Sequence, residues 1–296
     1  MRVLVTGREG QLARSLAERG AADPGLSLET MGRPDLDLER PESIEAAIAA
    51  AAPDVVVNAA AYTAVDQAED EPERAFRINA AGAGEVAAAA RRAGARIVQV
   101  STDYVFDGTG EGAYAETAPT RPLGVYGRSK LEGELRVAEA NPDHVVLRTA
   151  WVYSAYGRNF VQTMLGAAVQ RDELSVVADQ RGSPTASDDL ADGILALIAA
   201  WRERPRLGLG SAYHLAGTGE ASWFDFASAI FDEARRNGLP AAAVKPIRTV
   251  DWPTRTARPA NSVLDSSRFA ADFRYRSPHW RQSMAAVVAD LARRRG

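Results

Sequence analysis

Tyr126 and Lys130, four residues apart in PLGVYGRSKLEGE, are the pair best placed to carry proton chemistry. At the start of a helix that spacing puts both side chains on one face, within reach of a shared site. A phenol ordinarily titrates at about 10, and a nearby ammonium lowers that value. Tyr126 therefore reads as a proton donor usable near neutrality, and the same ammonium can hydrogen-bond ribose hydroxyls. Lysine is scarce: of 35 basic residues, all but Lys130 and Lys245 are arginine. A guanidinium cannot replace a compact ammonium fitted between a phenol and a ribose. In STDYVF, Ser101 or Thr102 could hydrogen-bond a carbonyl that Tyr126 protonates, although a Ser/Thr after a strand also serves as a plain turn former. VLVTGREGQLA sets Gly7, Gly10 and Ala13 in G-x-x-G-x-x-A spacing. A tight turn there would offer the unpaired N–H groups of a helix N-terminus to a pyrophosphate.

These residues need elements that bring them to one edge. Apolar runs at 2–6, 26–31, 54–58, 96–101 and 144–148 read as strands, with helical patterns at 11–19, 42–51 and 72–93 between them. Apolar strands without polar alternation, separated by helices, indicate a parallel sheet covered on both faces. The predicted fold class is α/β, a Rossmann-type doubly wound parallel sheet with a smaller α/β substrate-binding lobe. The turn at Gly7–Gly10, the segment Asn58–Ala61 and Ser101–Thr102 then share the carboxyl edge, where such sheets bind ligands. Residues 1–155 are expected to form the dinucleotide-binding domain, with segments returning to it from about 172–215. Residues 156–171 and 216–296 are expected to form the substrate lobe. That later part carries helical patterns at 160–170, 188–201 and 222–237, the last opened by a Ser cap. A Pro-, Thr- and Arg-rich tail at 246–259 precedes a final helix.

The absence of cysteine excludes disulfides, thiolate metal sites and cysteine nucleophiles, and three dispersed histidines lack metal-ligand spacing. A formal charge of −4 gives no electrostatic footprint for nucleic acid. No apolar run approaches membrane-spanning length and no signal-peptide pattern precedes the first strand, so the expected location is cytoplasmic. At the end of the second strand, Met31-Gly32-Arg33 offers no acid for an adenosine ribose. Arg8 and Arg33 either favour a 2′-phosphate there or are solvated surface residues, and Asp37 and Leu38 can frame the adenine. Trp223 and Phe224 read as core, and so does His214. Arg258 either binds diphosphate or braces the tail.

TGREGQLA, NAAAYTAVD, STDYVF, the segment Pro119–Lys130 and RTAWVY together resemble an extended short-chain dehydrogenase/reductase. NFVQTML, DQRGSPT, YHLAGTGEASWFDFA and RPANSVLD extend the likeness over nearly the whole chain, toward the dTDP-4-dehydrorhamnose reductases. The resemblance implies NADPH, or alternatively NADH, as cofactor, and reduction of the C4 ketone of dTDP-4-dehydro-L-rhamnose. A ketoreductase for another dTDP-4-dehydro-6-deoxy sugar and a non-catalytic regulatory subunit of the methionine adenosyltransferase type are the alternatives. Thr102, Tyr126 and Lys130 match the catalytic triad. Gly7, Gly10, Gln11, Leu12, Arg33, Asp37, Leu38, Ala59, Ala60, Ala61 and Thr63 match cofactor contacts, joined by Tyr126 and Lys130. Thr102, Asp103, Trp151, Asn159, Phe160, Pro184 and Arg258 match the substrate pocket. The resemblance also implies a monomer or homodimer with no nucleic-acid or membrane partner. Some relatives hold magnesium through an acid early in the first helix; Ala13-Arg14-Ser15 has none, so no metal is expected.

Overall fold

The computed structural model describes residues 1–295, so Gly296, the last residue of the expected second lobe, lies outside it. Five strands follow in order: β1 (Arg2–Thr6), β2 (Ser27–Met31), β3 (Val55–Asn58), β4 (Arg96–Thr102) and β5 (His144–Thr149). With a later strand, Ser211–His214, they make one six-stranded sheet whose spatial order is Ser211–His214, β5, β4, β3, β1, β2. Every pairing is parallel. Successive side chains point to opposite faces, and in β1, β3, β4 and β5 both faces are largely buried, whereas the edge strand β2 is partly exposed and carries Ser27 and Glu29. Val3, Val5, Val55, Val57 and Val98 pack on helix α1 (Gln11–Gly20) and the helix Ser187–Glu203, through Leu16, Ile194 and Trp201. Leu4, Val56 and Ile97 face the other way, onto the helices Pro41–Ala51 and Ala83–Arg92, through Ile44, Ile48 and Val86. This is the doubly wound Rossmann-type α/β architecture.

From β1 the chain runs outward to β2 and returns to the opposite side as β3, which opens a crevice at the carboxyl ends of β1 and β3. A second hydrophobic cluster, around Phe226, Ile230, Trp280 and Val288, lies among the helices Phe160–Ala167, Trp223–Arg236 and Trp280–Arg295. Ser222 caps the middle helix in a capping box with Asp225. The segment expected to return from about residue 172 divides. Strand Glu173–Val177 pairs in parallel with Ala243–Ile247, outside the main sheet, whereas Ser187–Glu203 and Ser211–His214 pack on and in it. The tail thus opens as a strand, and Lys245, which had no assigned role, pairs there with Glu173 at 2.7 Å. Two helices close the chain after the tail, Ser267–Phe273 and Trp280–Arg295, where one was expected.

The pattern at 72–93 predicts one helix; the structure has Pro72–Phe76, a π-helical stretch Arg77–Gly82 and then Ala83–Arg92. Buried Asn79, inside the π stretch, explains the break. Its Oδ1 accepts from Tyr62 N at 2.8 Å, while Nδ2 donates to Tyr62 O and to Ser129 Oγ, each at 3.0 Å. Ser129 Oγ in turn donates to Tyr126 O at 2.8 Å, so the bulge ties the loop after β3 to the first turn of the Tyr126 helix, Val125–Ala140. Asn79→Ala leaves a buried amide of Tyr62 unpaired and is expected to destabilise the protein by about 1–3 kcal/mol in urea denaturation.

Candidate active site

Three strand ends and one helix build the site. The Tyr126 helix has no capping side chain of its own; Glu69, from the loop after β3, accepts from Val125 N at 2.7 Å. Gly127 lets that helix press onto the loop after β4, because a Cβ there would overlap the carbonyl oxygen of Tyr104. The approach brings Tyr126, Thr102 and Lys130 together at the end of β4. Lys130 is buried, and its Nζ donates to Val100 O at 2.7 Å. Thr102 Oγ1 donates to Asp103 Oδ1 at 2.9 Å and accepts from Tyr104 N at 3.2 Å. The Tyr126 ring meets Tyr104 edge-on at 5.5 Å.

A buried polar chain runs beneath these groups across the sheet. Ala60 N donates to Thr6 Oγ1 at 3.1 Å, and Thr6 Oγ1 donates to Asn58 Oδ1 at 2.6 Å. Asn58 Nδ2 donates to Gln99 Oε1 at 2.7 Å, and Gln99 Nε2 donates to Val100 O at 3.0 Å. The register that aligns Thr6, Asn58 and Gln99 on neighbouring strands makes this row. It ends on the carbonyl that holds Lys130, so the glycine turn and the lysine share one scaffold. Gln99, a polar residue inside an apolar strand run, carried the signal that reading the sequence passed over.

Electrostatics here depart from expectation. A lowered phenol was expected for Tyr126; instead burial pushes it well up, with Asp103 and Tyr104 adding, while the neighbouring Thr102 hydroxyl acts in the opposite direction. The reason is that the Lys130 ammonium is turned to Val100 O. Burial also brings Lys130 down to about 8, opposed by the Glu134 carboxylate one turn further along the helix. Glu134 and Arg148 form a buried pair at 2.7 Å, and Ser101 donates to Glu134 Oε1 at 2.5 Å. Ser101 is thus tied to this pair, whereas Thr102 is the hydroxyl beside Tyr126. Desolvation pushes Asp103 up to about 6, and its Oδ2 has no hydrogen-bond partner among the described residues.

Residues 1–293 of the chain match the family described as RmlD substrate binding domain. It is 44% identical over 288 residues, 97% of each chain, to the dTDP-4-dehydrorhamnose reductase of Sinorhizobium fredii. To that of Burkholderia thailandensis it is 45% identical over 303 residues, covering 98% of this chain and 99% of the other. The solved structure of a Bacillus anthracis dTDP-4-dehydrorhamnose reductase in complex with NADP superposes with a TM-score of 0.89. That structure is 36% identical, over 98% of this chain and 99% of that one. The chain belongs to the dTDP-4-dehydrorhamnose reductase family. A Thermus thermophilus UDP-glucose 4-epimerase, 21% identical over 99% of both chains with a TM-score of 0.78, shares the fold.

As a dTDP-4-dehydrorhamnose reductase family member, the chain has its glycine turn at the crevice. Gly7 has φ +96°, and its N–H donates to Met31 O at 2.6 Å. Gly10 caps α1 with ordinary backbone angles, and a Cβ there would meet nothing within 4 Å. Gln11 begins α1 and accepts from Ser154 Oγ and Asn159 Nδ2, whereas Leu12 is core. Ala59, Ala60 and Ala61 are half-buried and Thr63 is exposed. Asp37 Oδ1 accepts from Glu39 N in a tight turn, and Leu38 is buried against the Ala83–Arg92 helix. Of the two arginines expected near a ribose, Arg8 pairs with Asp35 at 2.8 Å; Arg33 is exposed and has no acidic partner among the described residues.

The residues matched to a substrate pocket separate. Trp151 stacks face to face on Trp223, with centroids 3.4 Å apart, and Phe160 leans on Trp223 at 4.6 Å. Trp223, read as core, is therefore the partner of a predicted site residue. Asn159 caps the helix Phe160–Ala167 and spends its Nδ2 on Gln11, Ser154 O and Tyr156 O, while Pro184 is buried with its carbonyl against Gly217. Arg258 donates to Tyr104 Oη at 2.9 Å and to Asp66 at 2.6 Å, so of the two sequence readings its contacts are those of a brace. His214 is fully buried, with Nδ1 on Tyr114 O and Nε2 without a hydrogen-bond partner among the described residues. Among the described residues no helix is long and apolar enough to cross a membrane, and no three acidic or histidine side chains gather around a metal-sized site.

The Lys130 value fixes a pH dependence. Its ammonium is present below about 8 and is lost as the pH rises through that value, so kcat/KM is expected to fall with an alkaline limb there. Tyr126, pushed upward, contributes no limb below it. The unfolded lysine holds its proton to about 10, so the stability of the folded protein rises between those two values. In Lys130→Met both the limb and the slope in urea-derived stability should disappear.

Proposed function

We propose that this protein uses NADPH to reduce the C4 ketone of dTDP-4-dehydro-L-rhamnose, giving dTDP-L-rhamnose. The observation that carries the reading is the meeting of Tyr126, Thr102 and Lys130 at the end of β4, beside a glycine turn open toward the crevice. Family membership supplies the substrate class, and the intact trio favours an enzyme over a regulatory subunit.

The residues present fit a dinucleotide. Gly10 stands at the α1 N-terminus where no described residue comes within 4 Å of an added Cβ, which leaves room for a pyrophosphate against unpaired N–H groups. β2 ends without an acid, and Arg33 is available for a 2′-phosphate, which favours NADPH. When bound, the nicotinamide supplies the hydride. Tyr126, held neutral by burial, gives its phenolic proton to the oxygen at C4 as charge develops there. The Thr102 hydroxyl orients that oxygen beside the phenol. Lys130, anchored on Val100 O, brings a positive charge to the site where an alkoxide forms and can hold ribose hydroxyls.

Loss of the phenol tests this directly. Tyr126→Phe is expected to lower turnover by roughly 10²–10⁴ while NADPH binding persists. NADPH consumption with dTDP-4-dehydro-L-rhamnose gives the rate, and product NMR distinguishes L-rhamnose from another 6-deoxy sugar. Full activity in the variant would sink the assignment.

A further inference from the structure

Between the strand Val152–Tyr153 and the helix Phe160–Ala167, the loop from Ser154 to Asn159 carries the chain from the sheet toward the second core. This loop lies along one face of α1. Gln11, Arg14 and Glu18, spaced i, i+3, i+7, meet it, while Leu12, Ala13 and Leu16 face the sheet core. Glu18 accepts from Tyr156 Oη at 2.6 Å, and the Arg14 guanidinium lies 5.6 Å from the Tyr156 ring centroid. At the first residue of the helix the contact is with an amide. Gln11 Oε1 accepts from Ser154 Oγ at 2.8 Å and from Asn159 Nδ2 at 3.0 Å.

Main-chain groups decide which way round that amide stands. Asn159 Oδ1 accepts from Gln162 N at 3.2 Å, and Nδ2 reaches the carbonyl oxygens of Ser154 at 2.9 Å and Tyr156 at 3.1 Å. With these backbone groups setting it, Asn159 can offer Gln11 only an N–H, so the atom facing it must be oxygen. Gln11 Nε2, the other arm of the planar amide, is then directed away from Asn159 and Ser154. It has no acceptor among the described residues. A side chain at the first helical position leans toward the helix N-terminus, which here is the open space over Gly10.

We infer that Asn159 and Ser154 are positioning residues for the cofactor: they hold Gln11 so that its Nε2 donates to a phosphate oxygen of the dinucleotide. Asn159, matched by resemblance to the substrate pocket, thus serves the glycine turn, where its contacts run. The loop that leads into the second lobe sets a donor at the crevice of the first. The amide adds one directed side-chain hydrogen bond to those that the main-chain N–H groups of α1 can supply. Because the device serves the dinucleotide, the nucleotide part of the sugar substrate should not sense it. The inference rests on the reading of the glycine turn as a dinucleotide site.

Gln11→Met, Asn159→Asp, their double variant and Ser154→Ala separate the outcomes. For each, Kd for NADPH is measured by nicotinamide fluorescence and Kd for dTDP by calorimetry, with melting curves as the folding control. Gln11→Met removes the donor and is expected to raise Kd for NADPH by about 5- to 30-fold, the scale of one hydrogen bond to a charged group, with Kd for dTDP unchanged. Asn159→Asp keeps the cap on Gln162 N but replaces the donor facing Gln11 with an acceptor, which turns Nε2 back toward the loop. It should weaken NADPH to a similar extent and add nothing in the double variant. Ser154→Ala removes the other donor to Gln11, should give a smaller rise, and carries the same comparison if Asn159→Asp fails to fold. Unchanged NADPH affinity in Gln11→Met overturns the phosphate contact, and unchanged affinity in the folded loop variants overturns the positioning role. Additive losses in the double variant overturn the route through Gln11. A rise in Kd for dTDP confined to Asn159→Asp returns that residue to the substrate pocket. Failure of the dinucleotide reading would register separately, as no NADPH binding by the unaltered protein.

Discussion

An ammonium ion taken out of water must find a partner, and in this protein the acceptor on the buried Lys130 Nζ is the carbonyl of Val100. Much of the site follows from that hydrogen bond. The carbonyl belongs to β4, so the helix bearing Lys130 must lie close to the strand end, which requires Gly127 against Tyr104 O. Val100 O is also held by Gln99, and through Asn58 and Thr6 the restraint extends to the loop after β3. A satisfied buried chain of this kind is rigid, because every break would leave a polar group desolvated. The glycine turn and the lysine therefore keep fixed positions relative to each other.

The same bond explains why the phenol behaves contrary to expectation. Proximity in sequence puts Tyr126 and Lys130 on one helical face, but the charge is directed to a main-chain oxygen and the phenol sits among Thr102, Asp103 and Tyr104. Burial then dominates and Tyr126 keeps its proton. For a reductase that delivers a proton to a nascent alkoxide, a neutral phenol is the form required. Glu134, buried with Arg148 and Ser101, opposes the loss of charge from Lys130, so two helix positions four apart work on one ammonium.

Much of the fold was legible because its causes are local. Parallel strands buried on both faces are predominantly apolar, and the runs within Val55–Asn58 and Arg96–Thr102 could be read from that pattern. The break at Arg77–Gly82 was not legible, since an alanine-rich stretch favours a continuous helix and Asn79 leaves that path only to meet Tyr62 and Ser129. Trp223 followed the same rule: at the start of an amphipathic helix it has the pattern of core, and its partner Trp151 is remote in the chain. Arg258 offered two readings that only its contacts with Tyr104 and Asp66 could weigh.

The amino-acid sequence by itself determined the α/β alternation, the glycine turn at the first strand, the Tyr126–Lys130 pair and its family likeness, because each depends on residues within a few positions of one another. Tertiary structure alone decided where charges and planes point. It turned Lys130 to Val100 O, joined Thr6, Asn58 and Gln99 in one row, tied Ser101 to Glu134 and left Thr102 to face the phenol. It also set the Trp151 indole between Trp223 and Gly182. The physical reason is that desolvation, ion pairing and ring stacking act through space between strands and lobes, and these contacts exist only once the chain has brought distant segments together.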